Sequence, residues 1–186
     1  MKYALKNAVI LDGTKDMEPL RGQSVLVEGE TIVGLAPAGS EPMGFEPVDL
    51  TGKYLMPGLF NMHVHLAGSG KPQKKQRDNE KLVKTIMGSG LTRAVAYSMV
   101  RGFARDELMS GVTTIRTMGG LGNFDSRLRD EIAAGRQDGP RILAANQGIS
   151  VPCGHMAGSV AIAARSIDEA LAHLEQSERE GVDLVK

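Results

Sequence analysis

The sequence predicts an α/β fold, with a small all-β segment over residues 1–55 followed by parallel βα units over residues 56–186. Three observations predict it. Up to about Leu55, short apolar runs are broken by turn residues with no helical period between them. After Met56-Pro57-Gly58 the texture changes, and β-branched runs alternate about four times with stretches of helical spacing. The 23 glycines sit mostly between these periodic segments, as many short connections require. Strands alternating with helices pair in parallel and are covered by those helices. An open doubly wound sheet and a closed barrel both satisfy that count.

In the first segment, Ala8-Val9-Ile10-Leu11 runs into the turn Asp12-Gly13. Ser24-Val25-Leu26-Val27 and Thr31-Ile32-Val33-Gly34-Leu35 flank Glu28-Gly29-Glu30, and a hairpin is the simplest reading. Proline and glycine between Pro37 and Pro47 mark a loop, after which Val48 to Leu50 and Tyr54-Leu55 return as strand. In the second segment, Leu59 to Leu66 reads as a buried strand. Helical spacing from about Leu82 to Met109 is interrupted by Gly88-Ser89-Gly90, giving a short loop helix and a longer one that Gly111 ends. Val112 to Arg116 is the second strand, and a helix from about Asp125 to Ala134 closes at Gly135. Arg141 to Ala145 is the third strand. Ser166 with Glu169 forms a capping box for a helix whose Ile167, Ala170, Leu171 and Leu174 share one apolar face. Gly181 stops it, and Val182 to Val185 opens a fourth strand.

Composition narrows the function. The 22 basic and 22 acidic residues balance, so the footprint of a general nucleic-acid binder is missing. No run approaches the roughly 18 apolar residues of a membrane span, and the apolar stretch within Met1 to Leu11 is too short and interrupted for a signal peptide. The single cysteine, Cys153, cannot form an internal disulfide and fits a reducing, cytoplasmic setting. Nothing else around it resembles a cysteine hydrolase.

The chemistry begins at His63 and His65. Separated by one residue within a strand, both side chains project from one face, where two imidazoles can hold one metal ion. A chance pair on a surface strand, or two histidines each satisfied by a core hydrogen bond, is the plain alternative, and the preceding Pro57-Gly58 with the following Gly68 and Gly70 weighs against it.

Met56 to Leu66 resembles the first barrel strand of the amidohydrolase superfamily. The likeness extends to Gly111-Val112-Thr113-Thr114-Ile115-Arg116, Met118-Gly119-Gly120, Gly139 to Ile142, Gly154-His155 and Gly181 to Lys186, nearly the whole chain. These segments are similar to the branch of imidazolonepropionase-like enzymes and metal-dependent dipeptidases of prolidase type. The resemblance implies a (β/α)8 barrel of TIM type, of which the first four βα units are present, carrying a small β-sandwich. It also implies one or two divalent ions, usually zinc, with His63 and His65 as ligands and Lys186 as a carboxylated lysine bridging two metals. A carbamate is an anionic oxygen ligand where an ammonium would be repelled, although an ordinary solvated lysine is the plain alternative. His155, in a loop after the third strand, and Arg116 match substrate-binding positions, although a solvent-exposed loop histidine remains open. The aspartate that often follows that arginine is Thr117 here, which puts an ion pair between neighbours in doubt. His173 is most simply structural, and the basic run Lys71, Lys74, Lys75 and Arg77 reads as a solvated face or a substrate lid.

The expected activity is metal-dependent hydrolysis of an amide in a dipeptide or N-acyl amino acid. A cyclic-amide hydrolase similar to imidazolonepropionase, or a non-catalytic half-barrel, stands beside it. The expected partners are a small-molecule or dipeptide substrate and further copies of the chain in a homo-oligomer. The barrel's remaining ligands and its aspartate base are expected beyond Lys186.

Overall fold

The computed structural model describes residues 1–70 and 78–186, which divide into two compact units, Met1–Pro57 and Gly58–Lys186. The first unit contains β1 (Lys2–Lys6), β2 (Val9–Ile10), β3 (Gln23–Glu28), β4 (Thr31–Pro37), β5 (Glu46–Asp49) and β6 (Tyr54–Leu55). Four of them form a mixed sheet in the order β4-β3-β1-β5, and β2 pairs with β6 separately. The β3–β4 hairpin forms where the turn residues place it, with Gly29 in the left-handed region at φ 62°. Sequence reading missed β1: its Tyr3, Ala4 and Leu5 pair with Val27, Leu26 and Val25 on one side and with β5 on the other. Ala4, Leu26 and Ala36 make a small core with Phe45 packed on it. On the edge strand β4, Ile32, Val33 and Leu35 stay exposed.

The second unit is α/β. Its main sheet has three parallel strands in the order β7 (Leu59–Val64), β8 (Val112–Thr117) and β9 (Arg141–Leu143). Between the first two lie α1 (Asn79–Met87) and α2 (Gly90–Met109), and between the second and third lies α3 (Phe124–Ala133). The break at Gly88-Ser89-Gly90 works as expected, because Ser89 is an N-cap whose hydroxyl accepts from the Thr92 N–H. Ala96, Val100 and Ala104 recur every fourth residue along α2, and their small side chains let it seat on Val64, Leu66 and Ile115 in the core with Phe124 and Leu128 of α3. No helix among the described residues is long and apolar enough to cross a membrane.

Three expectations are corrected, and one pair of strands is new. The first strand stops at Val64, and it is not buried: Leu59, Phe60 and Met62 are exposed, because β7 is paired on one side alone. Val182 to Val185 forms no strand; Asp183 N–H and the Lys186 carbonyl make single bonds to Ala144 O and Ile149 N, too far apart for a ladder. A pair of short parallel strands, β10 (Gly148–Ser150) and β11 (Ala161–Ala163), was not anticipated. Finally, α4 (Ile167–Arg179) takes its cap from Ser166, but the Glu169 carboxylate reaches back to the N–H of Arg165 instead of Ser166, and the apolar face of Ile167, Leu171 and Leu174 is open to solvent.

Candidate active site

The end of β7 is irregular. Asn61 and Ile115 stand opposite each other, then Val64 and Thr117, so β7 carries one extra residue at Met62–His63. A bulge of this kind bends the strand and re-aims a side chain just where the two histidines begin. His63 lies in the bulge and His65 one residue beyond the strand end. The two rings meet, with centroids 5.3 Å apart and planes tilted by 60°. Arg116, across on β8, donates from Nε to the Met62 carbonyl at 2.8 Å, so it ties down the bulged stretch itself.

His65 is held more tightly than its partner. Its Nδ1 lies 2.9 Å from the Gly119 carbonyl oxygen, an acceptor only, so Nδ1 carries the proton and Nε2 keeps its lone pair. Burial lowers the pKa of His65; the Gly119 bond opposes this, and the positive charges of Lys186, His63 and His155 lower it further. Those three side chains therefore stand close enough for their charge to bear on His65. A neutral imidazole whose other nitrogen is fixed by a carbonyl is the state a metal ligand requires.

Lys186 is placed from two directions. Its carbonyl accepts from Ile149 N–H at 2.9 Å, and its side chain lies over Gly148, 3.5 Å from where a Cβ would stand. Three residues earlier, Asp183 accepts from the Ala144 N–H and from Arg129 Nη1, both at 2.8 Å. Burial works against ionisation of Asp183, but the Ala144 N–H and the Arg129 guanidinium outweigh it and hold the carboxyl below its usual range. His155 is exposed in the loop between β10 and β11, flanked by Cys153 and Met156, both non-glycine residues at φ 59°. Such residues cost local strain and cluster at functional loops.

Beside His63 and His65, a cavity of about 700 Å³ runs along β7, walled by Leu82, Val83 and Ile86 of α1 and Phe103 of α2. The run Lys71, Lys74, Lys75 and Arg77 lies outside the described residues. Among the described residues no three His, Cys, Asp or Glu side chains stand together as a closed metal site. His63 and His65, with one neutral ring oriented, fit a divalent ion as part of a ligand set. Sequence reading missed Gly119, which fixes the ring, and Asp125 behind it; the glycine pair after the second strand was the only signal.

The sequence pattern of the amidohydrolase family matches residues 54–186. The chain belongs to the amidohydrolase family. Over 158 residues this amidohydrolase is 26% identical to an imidazolonepropionase of Paenarthrobacter aurescens, covering 84% of this chain and 34% of that protein. A crystal structure from Bifidobacterium longum, assigned as a prolidase, is 33% identical, with a TM-score of 0.72 over 97% of this chain and 39% of that one. A prolidase in complex with N-methylphosphonate-L-proline shares the fold at 20% identity, with a TM-score of 0.80 over 100% of this chain and 46% of that one. The amidohydrolase chain thus spans less than half the length of each of these relatives.

Proposed function

We propose that this chain forms part of a metal-dependent hydrolase that cleaves the amide of a dipeptide or N-acyl amino acid, with β7, β8 and β9 as the first strands of a (β/α)8 barrel and Met1–Pro57 as part of a small β-sandwich. The observation that carries the reading is His65, neutral, with Nδ1 bonded to Gly119 and Nε2 free, 5.3 Å ring to ring from His63. In this reading His63, His65 and Lys186 hold one or two divalent ions, zinc being the ordinary choice for imidazole donors. When bound, such an ion supplies a Lewis acid for the carbonyl and makes water a better nucleophile near neutral pH.

The chain's own residues do the rest. Lys186, deprotonated, attacks carbon dioxide through Nζ; the new N–C bond gives a carbamate and releases a proton, turning a repelled cation into an anionic oxygen donor. His155, on its exposed loop, faces the substrate carboxylate. Arg116 holds Met62, and so the turn into His63, while its remaining guanidinium donors are available to an anionic group. The similarity to a Bifidobacterium longum protein assigned as a prolidase supports a dipeptide substrate. The second reading, hydrolysis of a cyclic amide, is favoured by the imidazolonepropionase match across most of the chain.

The test measures metal content and hydrolysis in the full protein. Purified wild type is expected to hold one or two ions and to cleave Xaa-Pro dipeptides or N-acyl amino acids. His63→Ala should lose metal and reduce hydrolysis by more than the about 10- to 100-fold typical of outer-shell changes. Hydrolysis of cyclic amides alone would move the assignment to the second reading. A stable, metal-free, inactive wild type would overturn both.

A further inference from the structure

Two consecutive glycines separate His65 from a buried carboxyl. A Cβ on Gly119, which has φ 121°, would stand 3.3 Å from His65 Cε1 and 3.0 Å from the Val160 carbonyl oxygen. A Cβ on Gly120 would stand 2.5 Å from Oδ2 and 2.9 Å from Oδ1 of Asp125. The peptide joining these glycines is the one whose carbonyl accepts from His65 Nδ1. It is therefore packed between the imidazole on one side and the carboxyl on the other, with no room for a side chain at either position.

Asp125 sits in the first turn of α3 and is 1% exposed. Beside it stands Thr117, whose hydroxyl favours the ionised carboxylate and whose Oγ1 accepts from the Ala145 N–H at 3.1 Å. The next residue, Ser126, donates its N–H to Asn146 Oδ1 at 3.0 Å. The helix turn that carries the carboxyl is thus tied to Asn146, yet the carboxyl's Oδ2 has no partner and lies against Gly120. A buried polar oxygen without a partner is uncommon enough to ask what it does there. What it does is touch the peptide that orients His65.

We propose that Asp125 is a positioning residue for His65: its carboxyl is the backstop to Gly120 that keeps the Gly119 carbonyl on Nδ1 and leaves Nε2 as the free donor. The role in catalysis rests on the metal-centre reading above, whereas the orientation of the ring does not. Asp125 touches neither substrate nor ion; it acts through two residues of backbone.

The test uses the full protein without metal, labelled with ¹⁵N at histidine, and reads the tautomer of each imidazole from two-bond ¹H–¹⁵N correlations. Zinc titration then gives affinity. Wild-type His65 is expected as a single Nδ1–H tautomer. Asp125→Ala should give a mixture of tautomers and about 10- to 100-fold weaker zinc binding, the range for groups that orient a ligand. Asp125→Asn, of the same shape, should restore both. Asn146→Ala breaks the neighbouring bonds to Ser126 without touching Gly120 and should lower the melting temperature while leaving the tautomer alone. Where Asp125→Ala does not fold, Asp125→Ser opens the same gap. A single unchanged tautomer in the folded Ala or Ser variant overturns the proposal, as does an equal disturbance in Asn146→Ala. If wild type binds no zinc, the metal reading fails, and the tautomer measurement still decides the role of Asp125.

Discussion

Asp125 also sets a pH dependence. Burial raises its pKa to about 6, with the Thr117 hydroxyl pulling the other way. An unfolded aspartate releases its proton near 4, so between about 4 and 6 the native state binds more protons than the unfolded one. Stability falls as pH rises through that window. The shift corresponds to roughly 3 kcal/mol at neutral pH. Asp125→Asn cannot ionise, and its stability relative to wild type should rise by about that amount between pH 4 and pH 7, read from urea unfolding at each pH. An unchanged difference would mean that Asp125 ionises freely in the native state. The same geometry explains Thr117: fully buried beside Asp125, it occupies a place where an aspartate would bring two buried carboxylates together. At this scale the sequence was legible where chemistry is local. His63 and His65 are read from their spacing, while Asp125 draws its significance from burial and from a contact through Gly120 that no spacing records.

At the scale of elements, turns and breaks were the legible part. Gly88-Ser89-Gly90, Gly111 and Gly135 each end or divide a helix near where they stand in the chain, the last two at φ 93° and 67°. Irregular pairing was not legible. The bulge in β7 depends on its register against β8, and β10 and β11, three residues each, are too short to carry a period. The segment after α4 follows neither pattern: it is held by side chains, Asp183 accepting from Arg129 and Ala144. Asp183→Ala should cost about 1–2 kcal/mol, since hydrogen bonds to a partly exposed charged group are involved, and calorimetry would show it as a lower melting temperature. Because the Asp183 carboxyl is held below its usual range, this contribution is complete above about pH 4 and is lost as pH falls through the lowered value. A variant as stable as wild type at pH 7 would show that the segment is held by its backbone bonds alone.

For the whole molecule, the alternation of strand and helix after residue 56 identified an α/β unit from the sequence, and the match over residues 54–186 assigns its family. Burial was the poorer inference, because an apolar run shows that a strand can be covered and not that anything covers it. Leu59, Phe60 and Met62 on β7, and Ile32, Val33 and Leu35 on β4, are open in their respective units. Unpaired, apolar strand edges template association. The 186-residue chain prepared by itself should therefore associate with concentration, and Ile32→Lys with Phe60→Lys should shift it toward monomer in light scattering. A wild-type chain that stays monomeric at high concentration would contradict this.

The position of Lys186 has a kinetic consequence. His63 and Lys186 are separated by over a hundred residues, with α1, α2, α3 and α4 between them in the chain. Contacts of such long sequence separation close late, because the loop entropy is lost before they form. The histidine pair, only one residue apart, is available from the start. If the proposed ligand set holds an ion, one met early in folding would be captured by two imidazoles alone, and the order in which the nascent chain encounters metal and completes its fold would decide whether the ion arrives at a finished site or at a provisional one.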